Sequence, residues 1–129
     1  MTLVLDASAA VELALWTERG RRVADRLGDD LFAPELLDVE ALAALARLVR
    51  SGDVRAEDAD TAVAALLRLP LTRVSHLALA AGAWRLRDRV RLADAFYASC
   101  AALLSAPLLT CDGRLARAPL PGVSVLLVP

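Results

Sequence analysis

The sequence predicts an α/β fold, a three-layer α/β/α sandwich built around a central parallel sheet. Short apolar runs alternate with longer segments of helical periodicity, which is typical of strands joined by crossover helices. The first run, residues 2–6, is apolar up to Asp6, as expected of a strand that is buried on both faces. The chain has 129 residues, 57% of them hydrophobic, which is enough to form one hydrophobic core. We therefore expect a single domain spanning residues 1–129.

The first quarter of the chain predicts a strand and two helices. The strand at residues 2–6 leads into a helix over about residues 8–18, and Gly20 is expected to break or bend that helix. A second short helix is expected over about residues 21–27, with Gly28 as its stop.

The rest of the chain repeats the same alternation. Pro34 is expected to open a helix, because proline is favoured at a first helical position, and Ser75 is a candidate N-cap. The predicted strands are residues 31–33, 71–74, 108–110 and 124–128. The predicted helices are about residues 34–50, 56–69, 75–88 and 92–104, with a short helical turn at 112–117.

Charge and cysteine content argue against a strongly basic nucleic-acid-binding protein and against a disulfide-rich secreted protein. The net charge is −1, so any nucleic-acid surface must be local, and all fifteen basic residues are arginine. The two cysteines form no CxxC pair, which favours a reducing cytoplasm. No secretory signal opens the chain, and no membrane association is expected. The uncharged stretch 95–111 contains Pro107 and predicts a buried helix followed by a buried strand.

Four acidic residues stand where this fold would bring them together: Asp6, Glu40, Asp94 and Asp112. Asp6 and Asp112 each close an apolar strand, whereas Glu40 and Asp94 lie early in helical segments. In parallel sheets, the carboxyl ends of the strands form the binding crevice. We therefore expect these four carboxylates to share one site.

Each acid also has a structural interpretation when taken alone. Asp6 and Asp112 suit helix N-caps, Asp94 suits the positive end of its helix, and Glu40 suits an exposed helical position. All four, however, are flanked by apolar residues, where an unpaired charge is costly to bury. Their combination favours a cation site, since carboxylate oxygens are the ligands that Mg²⁺ prefers.

Such a site predicts metal-dependent phosphodiester hydrolysis. A divalent ion held by Asp6 and Asp94, with Glu40 and Asp112, would bind a phosphate oxygen and lower the pKa of a water molecule. Ser8 and Thr110 lie close enough in sequence to orient water or a carboxylate, with capping or turn roles as the alternative.

Four segments in series carry a resemblance to the PIN-domain ribonucleases, and more narrowly to the VapC toxins of bacterial type II toxin–antitoxin systems. The segments are Asp6–Ser8, Pro34–Leu45, Leu92–Tyr97 and Leu109–Leu115. The resemblance covers essentially the whole chain and implies a PIN-like sandwich. It implies Mg²⁺- or Mn²⁺-dependent RNA cleavage by Asp6, Glu40, Asp94 and Asp112. It also implies a cognate VapB-type antitoxin and frequent homodimerisation.

The chain departs from the family pattern at two places. Family members often carry a further polar or acidic residue shortly after the last aspartate, where this chain has Ala116 and Ala118. A polar residue often follows the family glutamate, where this chain has Ala43 and Ala44. The first departure implies that a second metal site is weak or is completed by the substrate.

A run of arginines precedes Asp94 and two more follow Asp112. Arg85, Arg89 and Arg114 are candidates for orienting RNA phosphates, and an ordinary solvated helix face is an equal alternative for the run from 85 to 91. Helical periodicity allows at most part of the run to face the site.

The histidine and the aromatic side chains each have a packing and a functional interpretation. His76 is expected to be structural, because no partner has metal-site spacing. Trp84, Phe96 and Tyr97 are expected to pack, whereas Trp16 suits either a core position or the anchoring of a partner helix.

Two other functions compete with the nuclease. An aspartyl phosphoacceptor or haloacid-dehalogenase-type site would need a lysine and, in the latter, an acid at the position of Ser8, and the chain offers neither. A non-catalytic RNA- or protein-binding module is the second alternative. Such a module has no physical need for a buried acidic cluster, which weighs against it.

Overall fold

A computed structural model describes residues 1–129 and confirms the predicted order of strands and helices. The strands are β1 (Thr2–Leu5), β2 (Asp30–Pro34), β3 (Leu71–Val74), β4 (Leu108–Thr110) and β5 (Val125–Leu127). The helices are α1 (Ala7–Leu15), α2 (Glu18–Ala24), α3 (Leu36–Arg50), α4 (Ala56–Leu67), α5 (His76–Arg85), α6 (Leu92–Leu104) and α7 (Gly113–Ala116).

The five strands form one parallel sheet in the order β3-β2-β1-β4-β5, which confirms the predicted α/β/α sandwich. Strand β1 is central: Val4 aligns with Phe32 of β2 on one side and with Leu108 of β4 on the other. The direction in which strands are added reverses at β1. In open α/β sheets a crevice forms at such a point, beyond the carboxyl ends of the strands.

The core lies on both faces of the central strands. Leu3, Val4 and Leu5 of β1 are fully buried, as continuous apolar character predicts for a strand covered on both sides. Alanines on the covering helices, such as Ala9 on α1 and Ala98 on α6, are also fully buried and allow these helices to approach the sheet closely. No helix is long and apolar enough to cross a bilayer.

The prediction that Gly20 breaks or bends the first helix is wrong. Helix α1 ends at Leu15, Trp16 adopts a left-handed conformation with φ 56°, and Thr17 caps α2 by accepting a hydrogen bond from the Gly20 amide. Gly20 lies inside α2, where a Cβ atom would stand 2.0 Å from the carbonyl oxygen of Glu12. The glycine is therefore needed for the close approach of α2 to α1, and it does not break a helix.

Two further boundaries differ from the prediction. Pro34 is the last residue of β2, aligned with Val74, and the Glu35 amide donates to the Val74 carbonyl, so the sheet continues and α3 begins at Leu36. Helix α5 ends at Arg85, because the amides of the next residues bond back to carbonyls three residues earlier in tight turns.

Candidate active site

A cavity of about 500 Å³ opens at the carboxyl edge of the sheet and is lined by Asp6, Glu40, Asp94 and Asp112. Asp6 follows β1 and Asp112 follows β4, and these two strands are neighbours in the sheet. Glu40 enters from α3 and Asp94 from the first turn of α6. The structure thus brings all four predicted acids to one cavity at the point where the strand order reverses.

Asp6 is the most buried of the four, with 5% of its surface exposed. Its Oδ1 accepts the Ala9 amide at 3.0 Å, which caps α1, and the Ser8 hydroxyl at 2.7 Å, while Oδ2 accepts the Thr110 hydroxyl at 2.6 Å. Burial raises the pKa of Asp6 to about 6, even though these three hydrogen bonds favour its ionised form. At neutral pH the ionised Asp6 carboxylate is therefore destabilised by its burial.

Ser8 and Thr110 connect the ends of β1 and β4. The Ser8 hydroxyl accepts the Cys111 amide at 2.9 Å, and the Thr110 hydroxyl accepts the Asp112 amide at the same distance. Each hydroxyl therefore holds the Asp6 carboxylate on one side and the loop that carries Asp112 on the other. Through these contacts the two residues fix Asp6 and Asp112 relative to each other.

Asp94 and Asp112 each have a neighbouring arginine as counter-ion. Arg91 Nε lies 3.1 Å from Asp94, and the Arg114 guanidinium lies 3.3 Å from Asp112. Asp112 also accepts the Arg114 amide at 2.9 Å, capping α7. Burial acts to raise the pKa of Asp112, but the hydrogen bonds from Arg114 outweigh it and the pKa is lowered. Both guanidinium groups are largely exposed, so water and other ions compete for them.

Glu40 is held by Tyr97, a residue that is predicted from the sequence only to pack. Its Oε1 accepts the hydroxyl of Tyr97 at 2.8 Å, and Tyr97 is only 1% exposed. Burial, and then the charge of Glu40, raise the pKa of Tyr97 well above its ordinary value, so the phenol stays protonated and donates. The available signal was the spacing of Tyr97 from Asp94, three residues along α6, which puts both on one face.

The cavity has a basic rim, of which the sequence predicted only part. Arg19, Arg47, Arg91 and Arg114 line it together with the acids. Arg47 lies two helical turns after Glu40 on α3, which is the spacing that could have revealed it.

The remaining predicted arginines lie elsewhere. Arg89 lines a smaller pocket of about 220 Å³ beside Arg91, Asp94 and Arg114. Arg85 is exposed at the end of α5 and lines neither pocket.

The donor set suits a hard divalent cation. Five carboxylates line the cavity, the four predicted acids and Glu12, which the sequence did not single out. With the neighbouring hydroxyl groups they offer oxygen ligands, and no imidazole lines the cavity. The acids are not gathered into a closed coordination shell, since no three potential ligands lie close enough to form one. Arg91 and Arg114 occupy oxygens of Asp94 and Asp112, so a cation and these arginines compete for the same carboxylates.

Histidine and cysteine contribute no second reactive centre. His76 Nε2 accepts the Leu36 amide at 2.8 Å and so caps the start of α3, a structural role as predicted. Cys111 lines the cavity, but burial raises the pKa of its thiol to about 11, which leaves little nucleophilic thiolate at neutral pH.

The two tryptophans are both on the surface. Trp84, predicted to pack, is 60% exposed under the guanidinium of Arg87, which lies 4.6 Å from its ring. Helix α5, which carries Trp84, packs its other face against α6. Trp84 therefore points outwards, and the prediction that it packs is wrong. Trp16 is 52% exposed, which excludes the core position considered for it.

The sequence matches the model of the PIN domain family over residues 3–120. It is 42% identical to ribonuclease VapC3 of Mycobacterium tuberculosis over 118 residues, covering 90% of this chain and 86% of that protein. It is 40% identical to ribonuclease VapC12 of the same organism over 116 residues, covering 89% and 90%. These are similarities to proteins of matching length.

Solved structures share the fold. The crystal structure of VapBC2 from Rickettsia felis, bound to a DNA fragment from its promoter, contains a chain that superposes with a TM-score of 0.68. The alignment covers 100% of both chains at 14% identity, so the likeness is one of architecture.

Proposed function

The chain belongs to the PIN-domain family, and on this premise we propose that it is a divalent-cation-dependent endoribonuclease that acts as the toxin of a type II toxin–antitoxin module. The observation that carries this proposal is the meeting of Asp6, Glu40, Asp94 and Asp112 in one cavity at the reversal point of the sheet. VapC3 and VapC12, at 42% and 40% identity, are both named ribonucleases, which supports RNA as the substrate.

Mg²⁺ or Mn²⁺ would be held by Asp6, Glu40, Asp94 and Asp112. When bound, such an ion lowers the pKa of water and compensates the charge that develops on a phosphate. The protein's part is to present the oxygens: Ser8 and Thr110 orient Asp6, and Tyr97 holds Glu40. The one histidine caps α3 and does not line the cavity, so it offers no base at this site.

The basic rim would receive the RNA backbone. Arg91 and Arg114 are paired with Asp94 and Asp112, and a cation that engages these carboxylates leaves both guanidinium groups free for phosphates. Arg47 has no acidic partner, and the contact between Arg19 and Glu12 is long, at 3.8 Å. The chain as a whole is weakly acidic, so these four arginines supply the local positive charge that RNA requires.

We propose that a VapB-type antitoxin uses Trp16 as an anchor point. The exposed ring follows α1 and lines a groove of about 390 Å³ together with Leu15, Val54 and Arg55. Large aromatic side chains are common anchors at interfaces. Trp16→Ala should leave RNA cleavage intact and weaken inhibition by the antitoxin, measured by titrating the antitoxin into a cleavage assay. An unchanged inhibition curve would place the antitoxin elsewhere.

We propose a homodimer that uses the outer face of α5. Leu77, Ala80, Ala81 and Trp84 are all exposed and recur at the spacing of one helical stripe, with Leu77 90% exposed. Small residues between two large ones allow a partner helix to approach closely. Light scattering after gel filtration should give a dimer for the wild type and a monomer for Leu77→Arg. A wild-type monomer at micromolar concentration would contradict the proposal.

The nuclease itself is tested on mixed cellular RNA. Purified antitoxin-free protein should give discrete products with Mg²⁺ or Mn²⁺ and none with EDTA. Asp94→Asn should abolish cleavage, whereas Asp88→Asn, at an exposed aspartate outside the cavity, should cut like the wild type. A folded wild type that cuts no RNA would favour a non-catalytic binding module. Normal cleavage by Asp94→Asn would refute the assignment of the site.

A further inference from the structure

Glu40 differs from the other three acids in how it is held. Asp6 accepts an amide and two hydroxyls, Asp112 accepts an amide and an arginine, and Asp94 is paired with Arg91. Glu40 has a single partner, the hydroxyl of Tyr97 at 2.8 Å. No other hydrogen bond or ion pair holds the end of this partly buried glutamate side chain.

Tyr97 joins the two helices that carry acids. It lies three residues after Asp94 on α6, and its hydroxyl reaches across to Glu40 on α3, 57 positions away in sequence. Its ring is almost completely buried, so its position is set by the core rather than by solvent. A buried ring of this kind holds its hydroxyl in a fixed position. The arginine side chains that pair with Asp94 and Asp112 are flexible and largely exposed.

We infer that Tyr97 is a positioning residue for the proposed cation site, holding Glu40 in place through a neutral hydrogen bond. The inference rests on the proposed function and adds a residue to its machinery. A neutral donor orients the carboxylate without forming an ion pair with it, so the carboxylate stays available to a cation. Arginine in the same place would orient Glu40 but would also neutralise it.

Tyr97→Phe removes only the hydroxyl and keeps the buried ring. Loss of a group that orients a metal ligand typically weakens metal affinity 10–100-fold, so we expect Mn²⁺ to bind about 10-fold more weakly. Titration calorimetry with Mn²⁺ alone measures this without RNA or activity. In a Glu40→Gln background, Tyr97→Phe should have no further effect, because the carboxylate that it positions has gone.

Ser99→Ala is the matched control. Ser99 is buried two residues later on the same helix, and its hydroxyl donates to the Leu79 carbonyl at 2.8 Å, outside the cavity. This variant also removes one buried hydroxyl from α6, so it reproduces any general loss of stability. Its Mn²⁺ affinity should equal that of the wild type.

Tyr97 is the one tyrosine in the chain, which gives a direct reading of the contact. Protein labelled with ¹³Cζ-tyrosine has a single ring resonance, and Glu40→Gln should shift it in metal-free protein, whereas Ser99→Ala should not. An unmoved resonance would overturn the inference even if Tyr97→Phe failed to fold.

The outcomes separate the two proposals. Wild-type binding of Mn²⁺ with an unaffected Tyr97→Phe variant would overturn the role of Tyr97 and leave the nuclease standing. A folded wild type that neither binds Mn²⁺ nor cuts RNA would overturn the nuclease, and the role of Tyr97 with it. Weaker Mn²⁺ binding by Tyr97→Phe but not by Ser99→Ala, together with a shifted tyrosine resonance in Glu40→Gln, supports both proposals.

Discussion

Replacing Asp6 by asparagine should make the metal-free protein more stable at neutral pH. Burial raises the pKa of Asp6 from 3.8 to about 6, so the folded protein prefers the protonated acid more strongly than the unfolded chain does. A raised carboxyl pKa means that stability falls as the pH rises from about 4 to about 6 and stays lower above that range. A shift of roughly two units corresponds to about 3 kcal/mol at most.

Asparagine fits the same hydrogen bonds. Its amide oxygen can accept from the Ala9 amide and the Ser8 hydroxyl, as Oδ1 of Asp6 does. Its amide NH₂ then faces the Thr110 hydroxyl, which turns its own proton towards Ser8, 3.2 Å away. The substitution therefore removes the buried charge and keeps the three hydrogen bonds that Asp6 makes.

Urea unfolding in EDTA, repeated between pH 4 and pH 8, measures the effect. The free-energy difference between Asp6→Asn and the wild type should be near zero at pH 4 and should grow to as much as about 3 kcal/mol in favour of the variant at pH 8. Mn²⁺ should then stabilise the wild type more than Asp6→Asn, because the variant lacks one ligand of the proposed cation site.

Asp112→Asn is the control with the opposite sign. The pKa of Asp112 is lowered in the folded protein, so its charge stabilises the fold above the unfolded pKa, and this contribution is lost as the pH falls. Its replacement should therefore destabilise the protein at pH 8 and have less effect in acid. An Asp6→Asn variant that is less stable than the wild type at pH 8 in EDTA, or whose effect does not depend on pH, would refute the reasoning.

Three further predictions concern packing, an ion pair and RNA binding. Gly20→Ala should cost more than about 2 kcal/mol in urea unfolding, because its Cβ would meet a carbonyl oxygen of α1 at 2.0 Å; a neutral effect would contradict the packing of α2 on α1. Arg73→Ala should cost about 1–2 kcal/mol, since Arg73 binds Asp38 through two nitrogens at 2.6 and 2.7 Å while both side chains stay partly exposed; the loss should shrink in 1 M salt. Arg91→Gln should weaken RNA binding most at low salt and flatten its salt dependence, whereas Arg85→Gln, outside the cavity, should bind like the wild type; equal effects would return Arg91 to an ordinary surface role.

The sequence predicted the element order because most strands are apolar runs with a clear end, although β3 contains Thr72 and Arg73. It also predicted the place of Asp6 and Asp112, since the residue after a parallel strand lies at the carboxyl edge of the sheet whatever the helices do. Both predictions follow from local pattern and one topological rule.

Other features depend on how helices pack, which local pattern does not contain. Gly20 was taken for a helix break, but its role is the close approach to Glu12 on a neighbouring helix. The contact of Tyr97 with Glu40 joins positions 57 apart, so no sequence window holds both. Arg85 was a predicted RNA contact and Arg47 was not, but the orientation of α3 and α5 puts Arg47 at the cavity and Arg85 outside it.

The most direct test of the account is to measure Mn²⁺ affinity and RNA cleavage side by side on the same protein preparations. The set is the wild type, Asp60→Asn as an exposed control, and the four site variants Asp6→Asn, Glu40→Gln, Asp94→Asn and Asp112→Asn. We predict that each site variant loses cleavage and binds Mn²⁺ more weakly, while Asp60→Asn matches the wild type in both. Folded site variants that bind Mn²⁺ and cut RNA like the wild type would contradict the claim that these acids form one catalytic cation site.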